Sequence, residues 1–233
     1  TELQRQYYSN GKYAVKINST VTELDNNRVS ILIEVSEGLA AKIKKINIVG
    51  NSIYTEKKLL KEFKLSTTGL LSFYTDNDQY SKQKLSGDLE TLRSFYLDGG
   101  YLNFNLDSTQ VSITPDKKNI YITINITEGK QYTVTEIKLA GEYIFPEKDM
   151  FDLISIESGK LFSRKKITDS TKLITEKLGT AGYSFANVNS IPEINKEEKT
   201  VSITFYVDPG KRVYVRRINF SGNAKTKDTV LRR

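Results

Sequence analysis

The chain has 233 residues, 38% apolar and 27% charged, which is ordinary globular usage and excludes a wholly disordered, collagen-like or disulfide-built chain. With His 0 and Cys 0 it lacks the commonest general base, any thiolate nucleophile and the usual zinc ligands, so most enzyme and metal classes weaken at once. Lys+Arg 35 against Asp+Glu 28 leaves +7, no apolar run approaches the roughly 18 to 20 residues of a membrane helix, and Thr1 to Tyr8 do not form a signal peptide.

The chain opens on a helical pattern and stops at Leu231-Arg232-Arg233 as another begins, so its ends are expected to be cuts in a longer chain. Lys42 to Val49 alternates, with Ile46 and Ile48 on one face, and breaks at Gly50, which predicts a strand ending in a turn. Thr55 to Phe63 reads as a short helix, with Thr55 as N-cap and Leu59, Leu60 and Phe63 as its apolar stripe. A longer helix is predicted from about Asp78 to Asp98, facing inward with Leu85, Leu89, Leu92 and Tyr96. Two strands follow, Tyr101 to Thr114 and Asn119 to Thr127, joined by Pro115-Asp116-Lys117-Lys118. The second alternates Ile120, Ile122, Ile124 and Ile126 against polar residues, the mark of a sheet with one buried face. Ile46, Ile48, Leu60, Leu85, Leu92, Ile122 and Ile124 are expected to share one core.

This order then returns. Ile46-Asn47-Ile48-Val49-Gly50-Asn51 is echoed at Ile137 to Glu142 and at Ile218 to Asn223, the glycines lying 91 and 81 residues apart. Glu37-Gly38, Glu128-Gly129 and Pro209-Gly210 repeat at the same offsets. Gly11-Lys12-Tyr13, Gly99-Gly100-Tyr101 and Ala181-Gly182-Tyr183 form a third marker between helix and strand patterns. Met150, Phe151 and Ile154 restate the short helix, and Ile167, Ile174 and Leu178 the long one. Nine additional residues of the first complete repeat fall between its helices, around Thr67 to Asp78. The fold class is therefore α+β: tandem units of strand, helix, helix, strand, strand, each with two helices on a three-stranded sheet. The expected boundaries are 1–39 for the closing part of one unit, 40–130 and 131–211 for two complete units, and 212–233 for the opening of a fourth. The joints are too short to be floppy linkers, and bending is expected at Gly38, Gly129 and Gly210, with Gly129 at positive φ.

Within this frame, Asp88-Leu89-Glu90-Thr91-Leu92-Arg93-Ser94, Gly100-Tyr101, Asp107 to Ser112, Thr114 to Lys118 and Asn125 to Gly129 closely resemble the third POTRA domain of the outer-membrane protein assembly factors of Gram-negative bacteria. The resemblance extends over nearly the whole chain as the tail of the second such domain, the third and fourth complete, and the start of the fifth. It implies a periplasmic array at the outer membrane, preceding the protein's own C-terminal membrane barrel. Such an array receives unfolded outer-membrane proteins and docks accessory assembly lipoproteins.

Other motifs carry less. Ser81-Lys82-Gln83-Lys84 and Ser163-Arg164-Lys165-Lys166 satisfy a Ser-x-x-Lys nucleophile pattern, but neither has its companion motifs and both open predicted helices, where Ser is a routine cap. Asp76-Asn77-Asp78 begins like a calcium loop, yet Ser81 and Gly87 stand where that loop needs Gly and Glu. No cofactor or metal is expected, and an enzyme is a remote reading. The basic runs Lys42 to Lys45, Arg164 to Lys166 and Arg216-Arg217 fit solvation or contact with anionic lipid headgroups better than nucleic acid, because no nucleic-acid signature accompanies them. Tyr13, Tyr101 and Tyr183 share one repeat position, as packing residues do.

A three-stranded sheet leaves edges that can template an added strand. Leu102, Phe104 and Leu106 fall on even positions whereas Val111 and Ile113 are odd, so a β-bulge between Asp107 and Gln110 is expected to restore a common face. The matching strand of the next unit carries Pro192, which lacks an N–H. Asn103 to Thr114 is accordingly the expected protein-binding edge, through Asn103, Asn105, Asp107, Ser108, Thr109, Gln110, Val111 and Ile113. The resemblance implies lipoprotein contact there, with Asp107 as the charged partner. The competing expectation is a rigid periplasmic spacer that touches anionic lipid and binds no client.

Overall fold

A computed structural model of the chain describes residues 2–26, 28–69, 77–222, 225, 227 and 230. Most of the predicted loop insertion, Asp76 of the calcium-like motif, Asn223 of the last marker and Leu231 to Arg233 lie outside the described residues. The chain divides into a first unit of residues 1–133, with 161–165 and 197–199, and a second unit made of the rest.

In the first unit the alternating segments form β3 (Lys42–Val49), β4 (Asn105–Ile113) and β5 (Asn119–Thr127), ordered β3-β5-β4. β5 is central, parallel to β3 and antiparallel to β4. Ile120, Ile122, Ile124 and Ile126 all face inward and are buried, as their period predicts. They meet α2 (Glu56–Leu60) and α3 (Lys82–Asp98), together with Ile43, Ile46, Ile48, Leu65, Leu85, Leu92 and Tyr96. Thr55 caps α2 by accepting the Lys58 N–H at 3.3 Å, and Ser81 caps α3 by accepting that of Lys84 at 3.4 Å.

Three details differ from the expected register. Leu59, not Leu60, enters the core, and Leu60 packs at its margin. The long helix begins at Lys82 rather than Asp78, because the Asp78 carbonyl is already accepting the Ile43 N–H at 2.7 Å. On the inner stripe of α3 the fully buried residue next to Leu85 is Asp88, while Leu89 is only partly buried. The Asp88 carboxylate accepts the N–H groups of Lys64 (2.7 Å) and Leu65 (2.9 Å), tying the segment after α2 to α3. Burial pushes its pKa up despite those two bonds.

Ahead of this sheet, α1 (Glu2–Ser9) and the antiparallel pair β1 (Lys16–Leu24) and β2 (Arg28–Ser36) form the partial repeat. Val29, Ile31, Ile33 and Val35 are exposed there, 91 residues before the buried isoleucines of β5. The second unit contains β6 (Thr133–Gly141), α4 (Glu147–Phe151), α5 (Arg164–Thr180), β7 (Asn187–Asn195) and β8 (Thr200–Asp208), with sheet order β6-β8-β7. Met150, Ile167, Ile174, Leu178, Ile203 and Phe205 are buried in it. Ser170 occupies the place of Asp88 and receives the Ser155 N–H at 2.9 Å, so the same tie is made without a charge. Residues 212–221 form no helix or strand.

Candidate functional site

An edge strand offers unpaired backbone groups, so the site begins with which edges are already occupied. At its start β3 is covered: Tyr80 N–H donates to the Ala41 carbonyl, Ile43 N–H to that of Asp78, and Thr68 N–H to that of Ile43. Opposite, β4 has β5 on one side and, among the described residues, no strand on the other. The register of this pair shifts between Leu106 and Ser108, which places the expected bulge at Asp107. Asp107 holds the bulge with both carboxylate oxygens, one accepting from Asn105 Nδ2 and the other from Thr127 Oγ1, each at 2.7 Å. Asn125 Nδ2 donates across the same rungs to Ser108 Oγ at 2.7 Å.

Thr114 N–H donates to the Asn119 carbonyl at 2.9 Å, which makes that rung a hydrogen-bonded one. Rungs alternate in an antiparallel pair, so Ser112 and Gln110 spend their backbone groups on β5. Ile113, Val111 and Thr109, opposite Ile120, Ile122 and Ile124, turn theirs to the open edge. Their side chains share the inner face of the sheet, where Val111 and Ile113 remain 38% exposed. The edge therefore presents a polar bend followed by a stretch with free backbone groups and two half-exposed apolar side chains.

Asn103 does not belong to that edge. The expected strand from Tyr101 starts instead at Asn105, because Tyr101 and Phe104 close turns onto the carbonyls of Tyr96 and Tyr101. Their rings pack around Tyr96, that of Phe104 stacked at 4.3 Å. Asn103 Nδ2 donates to the Tyr132 hydroxyl at 2.8 Å. Asn105, Asp107, Ser108, Thr109, Gln110, Val111 and Ile113 do lie together on β4. In the second unit β7 pairs with β8 in continuous register, and Pro192 faces Ile203. By the 81-residue offset this is the rung of Val111 and Ile122.

The joint glycines Gly38, Gly129 and Gly210 have φ of +70°, +76° and +62°. At Gly129 a side chain would also meet the Asn103 carbonyl carbon at 2.9 Å. The Gly–Tyr marker has a role its sequence did not reveal: the carbonyls of Gly11, Gly100 and Gly182 accept the N–H of Ala41 (2.9 Å), Tyr132 (2.9 Å) and Val213 (2.8 Å), the residues that lead onward from each joint. Tyr101 is buried, and Tyr13 and Tyr183 are half-buried, so all three pack.

Glu128 is more than a joint residue. Its carboxylate accepts Ser52 N–H (2.8 Å), Ser52 Oγ (2.7 Å), Ile53 N–H (3.0 Å) and the Tyr96 hydroxyl (2.7 Å). Burial raises its pKa, but the hydrogen bonds from Ser52, Tyr96 and the two backbone groups together outweigh burial and hold it below the usual glutamate range. Burial, followed by the bond to Glu128, pushes the Tyr96 hydroxyl far above its ordinary value. In the partial repeat Glu37 accepts likewise from Tyr7 and Lys12. In the second unit both partners become apolar together, as Leu178 and Pro209. Of the Ser-x-x-Lys serines, Ser81 is committed to its cap and Ser163 donates to Asp98 at 3.3 Å. Among the described residues no three acidic side chains group as a metal site, and no helix is long and apolar enough to cross a membrane.

The family model POTRA, described as surface antigen variable number repeat, matches residues 41–129 and 132–210. The outer membrane protein assembly factor BamA of Neisseria meningitidis serogroup B is 32% identical over 232 residues, 99% of this chain and 29% of the relative. BamA of Buchnera aphidicola subsp. Acyrthosiphon pisum is 39% identical over 212 residues, 89% of this chain and 34% of the relative. The chain thus spans about a third of these relatives' length, between 29% and 34%. Among solved structures, the crystal structure of Haemophilus influenzae BamA POTRA3-5 matches with a TM-score of 0.68 and 29% identity, over 82% of this chain and 75% of that one.

Proposed function

The chain belongs to the POTRA family, and on that footing we propose that it is a non-enzymatic periplasmic scaffold of outer-membrane protein assembly. It binds unfolded β-barrel precursors by strand addition to β4, docks accessory lipoproteins, and passes its clients to a membrane barrel outside these 233 residues. The observation that carries the reading is the backbone of Thr109, Val111 and Ile113, turned to an edge with no strand beside it among the described residues. Main-chain hydrogen bonds at such an edge supply affinity that does not depend on client sequence, and the half-exposed side chains of Val111 and Ile113 fix register. Asp107 gives the polar end of the edge a formal negative charge in a fixed position, suited to a basic group on a lipoprotein.

The test is an amide-shift titration of the whole chain with unfolded outer-membrane protein segments and, separately, with accessory lipoproteins. Clients should shift Asn105 to Ile113 before any residue of β7. Asp107→Arg should weaken lipoprotein docking in a salt-dependent way. Shifts spread evenly over all three sheets, or binding to anionic vesicles that salt abolishes with no client shifts at all, would replace this reading with that of a lipid-contacting spacer.

A further inference from the structure

We propose that a groove at the first joint binds an extended polypeptide segment carrying a carboxylate beside an apolar side chain, at a site distinct from β4. The groove, of about 570 Å³, lies within the first unit. Ala14, Leu39 and Ala40 line its apolar part, and Lys12, Lys42, Lys117 and Lys118 its basic part. Lys12 and Lys42 are engaged by Glu37 and by the buried Asp78, which leaves Lys117 and Lys118, beside Asp116, as the charge available to a ligand. Leu39 and Ala40 belong to no strand, and among the described residues their N–H groups make no hydrogen bond.

Comparison of the repeats identifies the occupant. Leu39 is 85% exposed, and its counterparts at the other two joints are Lys130 and Lys211. Because Leu39 lines the groove beside Ala14 and Ala40, this joint offers a concave apolar contact where the other joints carry lysine. Lys117 corresponds, 81 residues on, to Glu198. This joint has therefore gained an apolar contact and a positive charge together, while backbone donors stay unpaired between them. An extended chain with alternating acidic and apolar side chains answers all three: its carbonyls meet the free N–H groups, its apolar side chains cover Leu39, and its carboxylates meet Lys117 and Lys118.

The experiment titrates the whole chain with an eight-residue peptide alternating Leu and Asp, and with the same peptide carrying Lys for Asp. The acidic peptide should shift the amides of Leu39, Ala40, Lys117 and Lys118, and bind more weakly as salt rises. Leu39→Lys combined with Lys117→Glu copies the joint that carries Lys130 and Glu198 and should weaken binding at least about tenfold without changing the melting temperature. Val111→Pro should leave this binding unaltered, so failure here and failure at β4 are distinguishable. The proposal falls if the Lys peptide binds as well as the acidic one, if shifts are confined to β4, or if phosphatidylglycerol vesicles shift these amides and the peptide does not.

Discussion

Val111→Pro separates edge pairing from folding. Val111 stands opposite Ile122 on a rung whose backbone groups face away from β5, so a proline there removes no ladder bond. Unit two carries this substitution already, as Pro192 opposite Ile203, in a strand of unbroken register. Because the side chain is 38% exposed, the stability cost should stay within the span of strand propensities, about 1 kcal/mol. Binding loses more. One hydrogen bond disappears, about 1 kcal/mol, and the client carbonyl that it served is left unpaired against the ring, a further 1 to 2 kcal/mol or so. The sum of about 2 to 3 kcal/mol corresponds to a loss of about 30- to 160-fold in affinity. Urea unfolding measures the first quantity and peptide titration the second. Parent-like binding would remove β4 as the docking edge; a stability loss above about 3 kcal/mol would mean that the Val111 N–H serves the ladder and that the rungs are assigned the wrong way round.

Leu92 is fully buried against the sheet, and Leu92→Ala should cost about 2 to 5 kcal/mol in urea unfolding. Gly129→Ala forces a side chain into a left-handed backbone and against Asn103, and should lower stability by about 1 to 2 kcal/mol or more in the same assay. Glu128→Gln places an amide NH2 among hydrogen-bond donors, costing about 1 to 3 kcal/mol at pH 7. Since the folded pKa of Glu128 is lowered, its contribution is complete above the ordinary glutamate value and disappears as pH falls through the folded one. The gap between parent and variant should therefore close in acid; a gap of constant size would show that the carboxylate charge is not what Ser52 and Tyr96 hold. Asp88 has the opposite sign: its raised pKa means that its contribution is present in acid and declines as pH rises through the folded value, so Asp88→Asn should gain on the parent toward neutrality.

What could be read in the sequence was whatever is local and periodic. The alternation of Ile120 to Ile126 specifies a half-buried central strand, and the change of phase between Leu106 and Val111 required an extra residue, which the structure places at Asp107. Polar residues whose burial depends on distant partners were not legible. Nothing near Glu128 in sequence announces Ser52, 76 residues away, and nothing near Asp88 announces Lys64 and Leu65. Asp88 follows the inward period of α3 as well as Leu89 does, yet a charged residue on an apolar stripe is ordinarily assigned to solvent. Asn103 lies outside β4 for a related reason: Tyr101 and Phe104 look like strand residues by type and spacing, but their rings are drawn to Tyr96 and bend the chain before pairing starts.

The two complete repeats keep one architecture while differing where polar groups are buried. In the first, Glu128 and Tyr96 are bonded to each other inside the unit, and Asp88 ties a loop to α3; in the second, Leu178 and Pro209 replace the former pair together, and Ser170 replaces the acid. Losing both members of a buried pair costs little, whereas losing one strands the other, so the two positions can change only in concert. The edges diverge in the same concerted way: β4 has a bulge held by Asp107 and a donor at Val111, while β7 has neither the bulge nor, at Pro192, the donor. A strand that must stay soluble when empty and still pair when occupied needs both the polar bend and the free N–H. A strand carrying Pro192 at that rung is protected against pairing without any bend, and of the two edges only β4 retains what strand addition requires.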